Sequence, residues 1–386
     1  MALLDVIRDM VSGTGEIAGL RITARYRPVG GPTSKVSPPR YKTDPGDGPY
    51  VVEDRYNHEG VPAPVVLLDS IQAQANRAER ALLGLADTGR IELPWLQLET
   101  DVDGWHVRLT SLDAPHRSRD AYFRDSLLDG DDFEKSGIGR GLRRAEVHAL
   151  RAYFEHSPAD LVFGFWDSQR GGRQVRLARS YLSETIGWDP RTGVRAAGRF
   201  DPLVNMKADA FPVRREGGTW YPDEKGKTKL SEVNLGMVPP GPGPGGVSVR
   251  SIERVAYLNG IALARLGFAE SAEEVPDVEV DIAARTTLAA LAIVADRAAF
   301  AGPGVFFRSG CDLVYESEEL AFVRRGGEES PVVIELDDAL STLHDALDLA
   351  RVAGLAWRAG PLRLTPQPNL AQLIETAYLR APSDES

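Results

Sequence analysis

Two kinds of apolar pattern alternate along this 386-residue chain, and their order limits the folds open to it. Residues 17–27, IAGLRITARYR, have strand character. VVLL at 65–68 runs into DSIQAQANRAERALLGLADTG. There Asp69 or Ser70 can cap a helix, Ile71, Ala75, Ala78 and Leu82 form a narrow apolar stripe, and Gly84 or Gly89 ends it. ELPWLQLET and GWHVRLTSL, joined by DVDG, read as a hairpin. GLRRAEVHALRAYFEH reads as a second helix and DLVFGFW as another strand. Strand, helix, strand, strand, helix, strand is the β-α-β-β-α-β order of a ferredoxin-like or RRM-like fold. The expected class is therefore α+β, with this unit in residues 1–200.

The rest of the chain decorates or extends that unit. Residues 28–64 are rich in Pro and Gly and too long for an ordinary connection, so they are expected to be a functional excursion. QVRLARSYL can extend the sheet, and 201–246 read as irregular, ending in MVPPGPGPGG. VSV is expected to feed a helix over IERVAYLNGIALARLGF. A second, Ala-rich helix covers 282–300 and stops at Gly302 and Pro303. VFFRSG, CDLVYES and LAFVRRGGEESPVVIEL supply strands, and DDALSTLHDALDLARVAG a last helix with Leu340, Leu343 and Leu347 at helical spacing. Residues 247–386 are expected to pack on the first unit as an added α/β part, because nothing longer than PPGPGPGG separates them.

Net charge is −11, yet the charge is unevenly spread. From Ser251 onward there are 22 acids and 11 bases, while residues 1–250 balance at 34 of each. Within that half, residues 135–230 hold 18 bases against 11 acids. An anionic ligand meets the local field rather than the total, so a basic groove is compatible with an acidic chain. One cysteine, Cys311, leaves no intramolecular disulfide or cysteine-rich zinc site to build. The first residues do not read as a signal peptide, and no run of about 20 apolar residues offers a membrane span. A cytoplasmic location is expected.

No phosphate-binding GxxxxGK[ST], nucleophile-elbow GxSxG or HExxH motif occurs, so neither a catalytic nor a metal-binding residue is assigned and no cofactor is expected. His148 and His156, eight apart, would lie two turns apart on one helix. SGIGRGLRR at 136–144 opens a helix with glycines and carries Arg140, Arg143 and Arg144, which suit an anion better than a dinucleotide. Gln72, Gln74, Asn76 and Arg77 crowd the first turns of one helix; amides donate and accept, so they suit a ribose or a base edge. Arg173, Arg176 and Arg179 recur every three residues next to Trp166. Regular strand alternation would split them between two faces, and a bulge or a groove would gather them. Guanidiniums grip phosphates, and an indole offers a stacking surface. The competing reading pairs these arginines with Asp167 and Glu184.

LLDSIQAQANRAE at 67–79, FGFWDSQRGGRQVRLARSYLSETIG at 163–187, and KLSEVNLGMVPP followed by GGVSV at 229–249 resemble, in that order, the backbone subunit of the type I-U (type I-G) CRISPR effector, in the RAMP superfamily. The resemblance implies an RRM-like palm with a finger insertion near 28–64 and a thumb-like loop at 201–246. It implies a non-catalytic subunit that stacks with copies of itself along a CRISPR RNA (crRNA) in a Cascade-like antiviral complex. The partners implied are that guide, a target DNA strand and other effector subunits, with no membrane. A protein that carries any guide should hold backbone and leave base edges free. Under this reading Arg173, Arg176, Arg179 and Ser180 hold phosphates near Trp166, and Gln72, Gln74, Asn76 and Arg77 contact ribose or backbone. Lys35, Arg40, Lys225, Lys227 and Lys229 reach RNA or the target strand from the excursions. The alternative is a metal-dependent RNase of the same superfamily, with Asp167 or Asp209 as its loop aspartate.

Overall fold

The computed structural model describes residues 2–41, 48–167, 175–202 and 211–379. A mixed α+β chain folds around one curled antiparallel sheet of eight strands among the described residues: β1 (Ile17–Pro28), β2 (Val52–Tyr56), β3 (Pro62–Asp69), β4 (Tyr181–Trp188), β5 (Ser251–Asn259), β6 (Gly304–Arg308), β7 (Cys311–Arg324) and β8 (Glu329–Val332). Their order across the sheet is β6-β7-β1-β5-β4-β3-β2, with β8 against β7.

Strict alternation builds β1. Leu20, Ile22, Ala24 and Tyr26 are buried, while Arg21, Thr23, Arg25 and Arg27 face the other way. Four helices matter for the layer beneath: α1 (Leu3–Val11), α2 (Ile71–Asp87), α3 (Val278–Phe300) and α4 (Leu336–Val352). Ser70 caps α2 by accepting from Ala73 N–H at 3.3 Å, and Thr88 closes it by donating to Gly84 O at 2.7 Å. Asp277 caps α3 through Glu279 and Val280 N–H. Alanines let α3 and α4 approach until Thr287 Oγ1 reaches Ala346 O at 3.0 Å. Ala75, Ala78 and Leu82 of α2 and Ala284, Leu288 and Leu291 of α3 join Leu20, Ile22 and Leu258 in one core.

β1, α2, β4, β5, α3 and β7 occur in that order along the chain, with other elements between them, and the four strands lie side by side as β7-β1-β5-β4 with every neighbour antiparallel. The strands chosen differ from those expected. The hairpin Pro94–Val102/Trp105–Thr110 forms, turning through Asp103 and Gly104 at φ +49° and +79°, but it lies in a separate five-stranded sheet against Gly360–Pro366. The helix expected over 252–268 is instead β5 followed by one short turn, Gly260–Leu263. Its inward residues Ile252, Arg254, Ala256 and Leu258 alternate, and pairing to β1 and β4 on both edges overrides helical propensity. GLRRAEVHALRAYFEH breaks into Gly137–Arg144 and Arg151–His156, so His148 and His156 do not share a helix. DLVFGFW divides at Gly164, whose φ is +77°, into a helical turn Ala159–Phe163 and a short strand Phe165–Asp167.

Part of 201–246 is ordered as strand. Val238–Ser248, sequence VPPGPGPGGVS, pairs with Arg191–Arg199. Pro242 and Pro244 fall two apart, so their missing donors face the outer edge while Gly241 and Gly243 face the partner. No helix among the described residues is long and apolar enough to cross a membrane.

Candidate nucleic-acid interface

Of the three clustered arginines, Arg176 sits on a two-stranded ribbon. Phe165–Asp167 pairs with Val175–Leu177, and Trp166 lies directly opposite Arg176. Directly opposed residues project to one face, so an indole and a guanidinium stand side by side. Trp166 is 51% exposed and Arg176 is exposed. Arg179 follows, half-buried beside Gly164, whose added Cβ would lie 3.1 Å from Arg179 Cγ. Its Nε is buried with no hydrogen-bond partner among the described residues. Burial first, then the charges of Arg117 and Arg176, lowers its pKa, and Glu79 opposes this. Arg173 lies outside the described residues.

The ribbon is pinned from below. Residues 117–119, RSR, send three side chains inward. Arg117 donates to both oxygens of Glu79 at 2.6 and 3.0 Å and to Gly164 O at 2.7 Å. Ser118 donates to Asp160, which also accepts from Ser157 at 2.9 Å. Arg119 donates to Asp167 at 2.9 Å and to Glu134 at 3.0 and 3.3 Å. Both ends of the Trp166 strand, the Gly164 carbonyl and the Asp167 carboxylate, are thus fixed by buried guanidiniums. Arg117 holds φ +50°, a left-handed backbone that a non-glycine residue adopts only when its surroundings dictate it. Burial pushes the Glu79 carboxyl up to about 7 against the pull of Arg117, and Asp160 up to about 6 against Ser118, Arg117 and Ser157.

The other sequence-derived candidates separate into exposed and interior groups. Gln72 and Asn76 are exposed on α2. Gln74 is fully buried: its amide donates to Asp69 at 2.7 Å and accepts from Ser183 at 2.8 Å and Arg254 at 3.2 Å. Arg77 brackets Asp69 at 2.9 and 3.2 Å, donates to Phe307 O at 2.9 Å and stacks on the Phe307 ring at 4.7 Å. It ties α2 to β6. Ser180 is buried and donates to the Leu161 and Val162 carbonyls at 3.2 Å each. Glu184 is bound by Arg55 rather than by the arginine cluster, and Asp167 is bound by Arg119.

Lys35 and Arg40 lie on the 191–199/238–248 ribbon. A Cβ on Gly193 would stand 3.1 Å from Lys35 Nζ, and Arg40 donates to the outward Pro244 carbonyl at 3.3 Å. Val36 anchors this segment through two 2.8 Å bonds with Val247. Lys225, Lys227 and Lys229 are exposed next to a second hairpin, Val213–Glu216/Thr219–Pro222, to which Val213 N–H ties Thr228 O at 2.8 Å. There Arg215 faces Trp220 across the ladder, its guanidinium 5.9 Å from the ring centroid.

Sequence reading missed the interior set Glu79, Arg117, Asp160 and Arg119, which carries no local motif. It also missed Arg191, Arg195, Arg199, Arg215 and Trp220. Alternating prolines in PPGPGPGG were the available signal for an edge strand, and with it for the cationic ribbon opposite.

Two ladder pairs of Trp with Arg, and exposed cations around them, suit stacked bases and a phosphate chain. No curated protein matches the chain. The family model described as CRISPR-associated protein GSU0053 matches residues 20–192, a span that includes the segments 67–79 and 163–187 and the whole RSR-pinned ribbon. Over residues 20–192 the chain is similar to the CRISPR-associated GSU0053 family.

Proposed function

We propose that this protein is a non-catalytic, crRNA-binding backbone subunit of a type I-U (type I-G) CRISPR interference complex. It polymerises along the guide with copies of itself and with other effector subunits, and presents the guide for pairing with a target DNA strand. The observation that carries this reading is the Trp166–Arg176 pair, held on a ribbon whose two ends are fastened to buried Arg117 and Arg119. A rigid aromatic next to a cation holds a nucleotide without reading its edge.

The strand order β7-β1-β5-β4, built from β1, α2, β4, β5, α3 and β7, is the spatial order 4-1-3-2 of an RRM-like palm and supports that identification. The 191–199/238–248 ribbon with its hairpin serves as the thumb, and the segment carrying Lys35 and Arg40 as the finger that braces it. Gln72 and Asn76 remain as ribose or backbone contacts. Gln74, Arg77 and Ser180 hold the palm together. The alternative, an RNase acting through Asp167, has that carboxylate 3% exposed in its bond to Arg119; Asp209 lies outside the described residues.

Purification with its operon partners, followed by sequencing of retained nucleic acid, tests the proposal. Short RNAs of many spacer sequences are expected. Recovery of the complex without RNA, or magnesium-dependent RNA cleavage abolished by Asp167→Ala, would overturn it.

A further inference from the structure

Among the described residues, helices pack on one face of the main sheet, the face of Leu20, Ile22 and Leu258. The alternate residues look away from them. Arg21, Arg25 and Arg27 of β1 and Arg55 of β2 stand on this helix-free face. So do Glu53, Glu184 and Glu253 towards β2, and Glu316, Glu319 and Glu329 towards β7. Most of the guanidiniums are already engaged: Arg21 with Glu329 at 2.5 Å, Arg27 with Glu316 at 3.6 Å, and Arg55 with both Glu53 and Glu184. Six carboxylates against four guanidiniums leave negative charge in surplus. Phosphate binding runs on unpaired cations, so this face is electrostatically unsuited to a nucleic-acid backbone. Trp188, the indole on it, is only 6% exposed and packs with Val65 and Ile186.

One corner of the face is open to addition. Leu67 N–H reaches Val51 O at 3.0 Å and Asn57 N–H reaches Val61 O at 2.9 Å, so the odd residues of β2 bond inward to β3. The N–H and C=O groups of Val52, Asp54 and Tyr56 therefore point outward, and among the described residues β2 is the last strand of the sheet. Val52 and Tyr56 are 50% and 75% exposed. Beside this edge lies a cleft of about 210 Å³ with a floor of Val65, Leu67 and Ile186, a rim of Glu53, Arg55 and Glu184, and a far wall of Ser70, Ile71 and Gln72 at the start of α2. It is smaller than the roughly 300–1,000 Å³ of cofactor pockets and takes a single side chain.

We propose that this corner docks a basic partner protein: an extended segment adds to the free edge of β2 and sets a lysine or arginine in the cleft, against Glu53 and Glu184. Main-chain bonds to Val52, Asp54 and Tyr56 supply affinity, and the carboxylate surplus selects a cation. Arg55 neutralises one of the two rim carboxylates, and the incoming cation balances the other. The proposal rests on the strand edge and the carboxylates, and it shares Gln72 of the cleft wall with the RNA-binding reading.

The probes are a fluorescent peptide of alternating Lys and Val, one of alternating Glu and Val, and a single-stranded RNA, each titrated by anisotropy against the full chain. The Lys peptide is expected to bind and the Glu peptide not to. Glu53→Lys, at a residue whose side chain is 51% exposed, should weaken the Lys peptide tenfold or more and leave RNA affinity unchanged. Asp345→Lys on α4, a charge change on the helical side, should have no comparable effect on the peptide. Equal weakening by Asp345→Lys would mean attraction to net charge alone and would overturn the proposal, as would peptide binding indifferent to Glu53→Lys. A tenfold or larger change of RNA affinity in Glu53→Lys, in either direction, would overturn it in favour of a nucleic-acid surface.

Discussion

Removing the guanidinium of Arg117 tests the idea that a buried ion pair holds the Trp166 ribbon in place. Arg117 is 8% exposed and Glu79 1%. The side chain makes three hydrogen bonds, two to Glu79 and one to the Gly164 carbonyl. In Arg117→Met the Glu79 carboxylate keeps its burial and loses its partner. Truncating one side of a buried pair costs about 3–5 kcal/mol. Replacing both charges, in Arg117→Met/Glu79→Gln, leaves no buried ion without a partner, so the double variant should lose only about 1–2 kcal/mol, mainly the Gly164 bond and imperfect packing. Urea unfolding at pH 8 by far-UV circular dichroism measures both, and RNA affinity measured in parallel should fall in each, because Gly164 is released in each. The reasoning fails if the double variant is as unstable as the single, or if both bind RNA like the parent.

Three further outcomes follow from the same geometry. Trp166→Ala should weaken single-stranded RNA binding by about 1–3 kcal/mol per stacked base without shifting the unfolding midpoint, since the ring is half in solvent; isothermal titration beside thermal melting checks both halves. Gly164→Ala should destabilise by about 1–3 kcal/mol, because φ is +77° and the new Cβ would stand 2.8 Å from Leu177 O and 3.0 Å from Arg179 N. Stability should also vary with pH through two buried carboxyls and one half-buried imidazole. Glu79 and Asp160 are raised by burial to about 7 and 6, so their protonated forms favour the fold; their contribution is complete below about pH 4 and is lost as pH rises through 6 and 7. His156 is lowered to about 4 by burial and by Arg358, so its contribution is present above its ordinary pKa and is lost as pH falls towards 4. Thermal melts should therefore show Glu79→Gln flattening the loss of stability above pH 6, and His156→Gln flattening the loss below it. Unchanged profiles would contradict the burial argument.

What the sequence revealed divides along the line between local and non-local physics. β1, α2, α3 and α4 were legible because each carries its own period: alternation from Leu20 to Tyr26, Ser70 before Ile71, the alanines of 282–300, and Leu340, Leu343 and Leu347 at helical spacing, although α3 starts at Val278, four residues before the expected bound. β5 was not, because Ile252, Val255, Ala256 and Leu258 also fit one side of a helix, and only pairing with β1 and β4 decides the matter. The α+β class was legible, but the strands expected to build the main unit were the wrong ones: the hairpin at 94–110 is local and went to a side sheet, whereas β5 and β7 come from residues far along the chain. At the site, Trp166 and Arg176 were found as neighbours by composition and joined by a ladder that no period announces. Gln74 and Arg77 were chosen for chemistry that the structure directs inward to Asp69, a partner whose burial the sequence does not display.

The most direct measurement of the central claim is photo-crosslinking of the full chain to a short single-stranded RNA, with the joined peptides identified by mass spectrometry. The account predicts adducts at Trp166 and on the peptide carrying Arg176 and Arg179, diminished by raising salt and by the variant Arg176→Glu/Arg179→Glu. Adducts confined to Tyr257 and its neighbours on the helix-free sheet face, with none on the Trp166 ribbon, would contradict it.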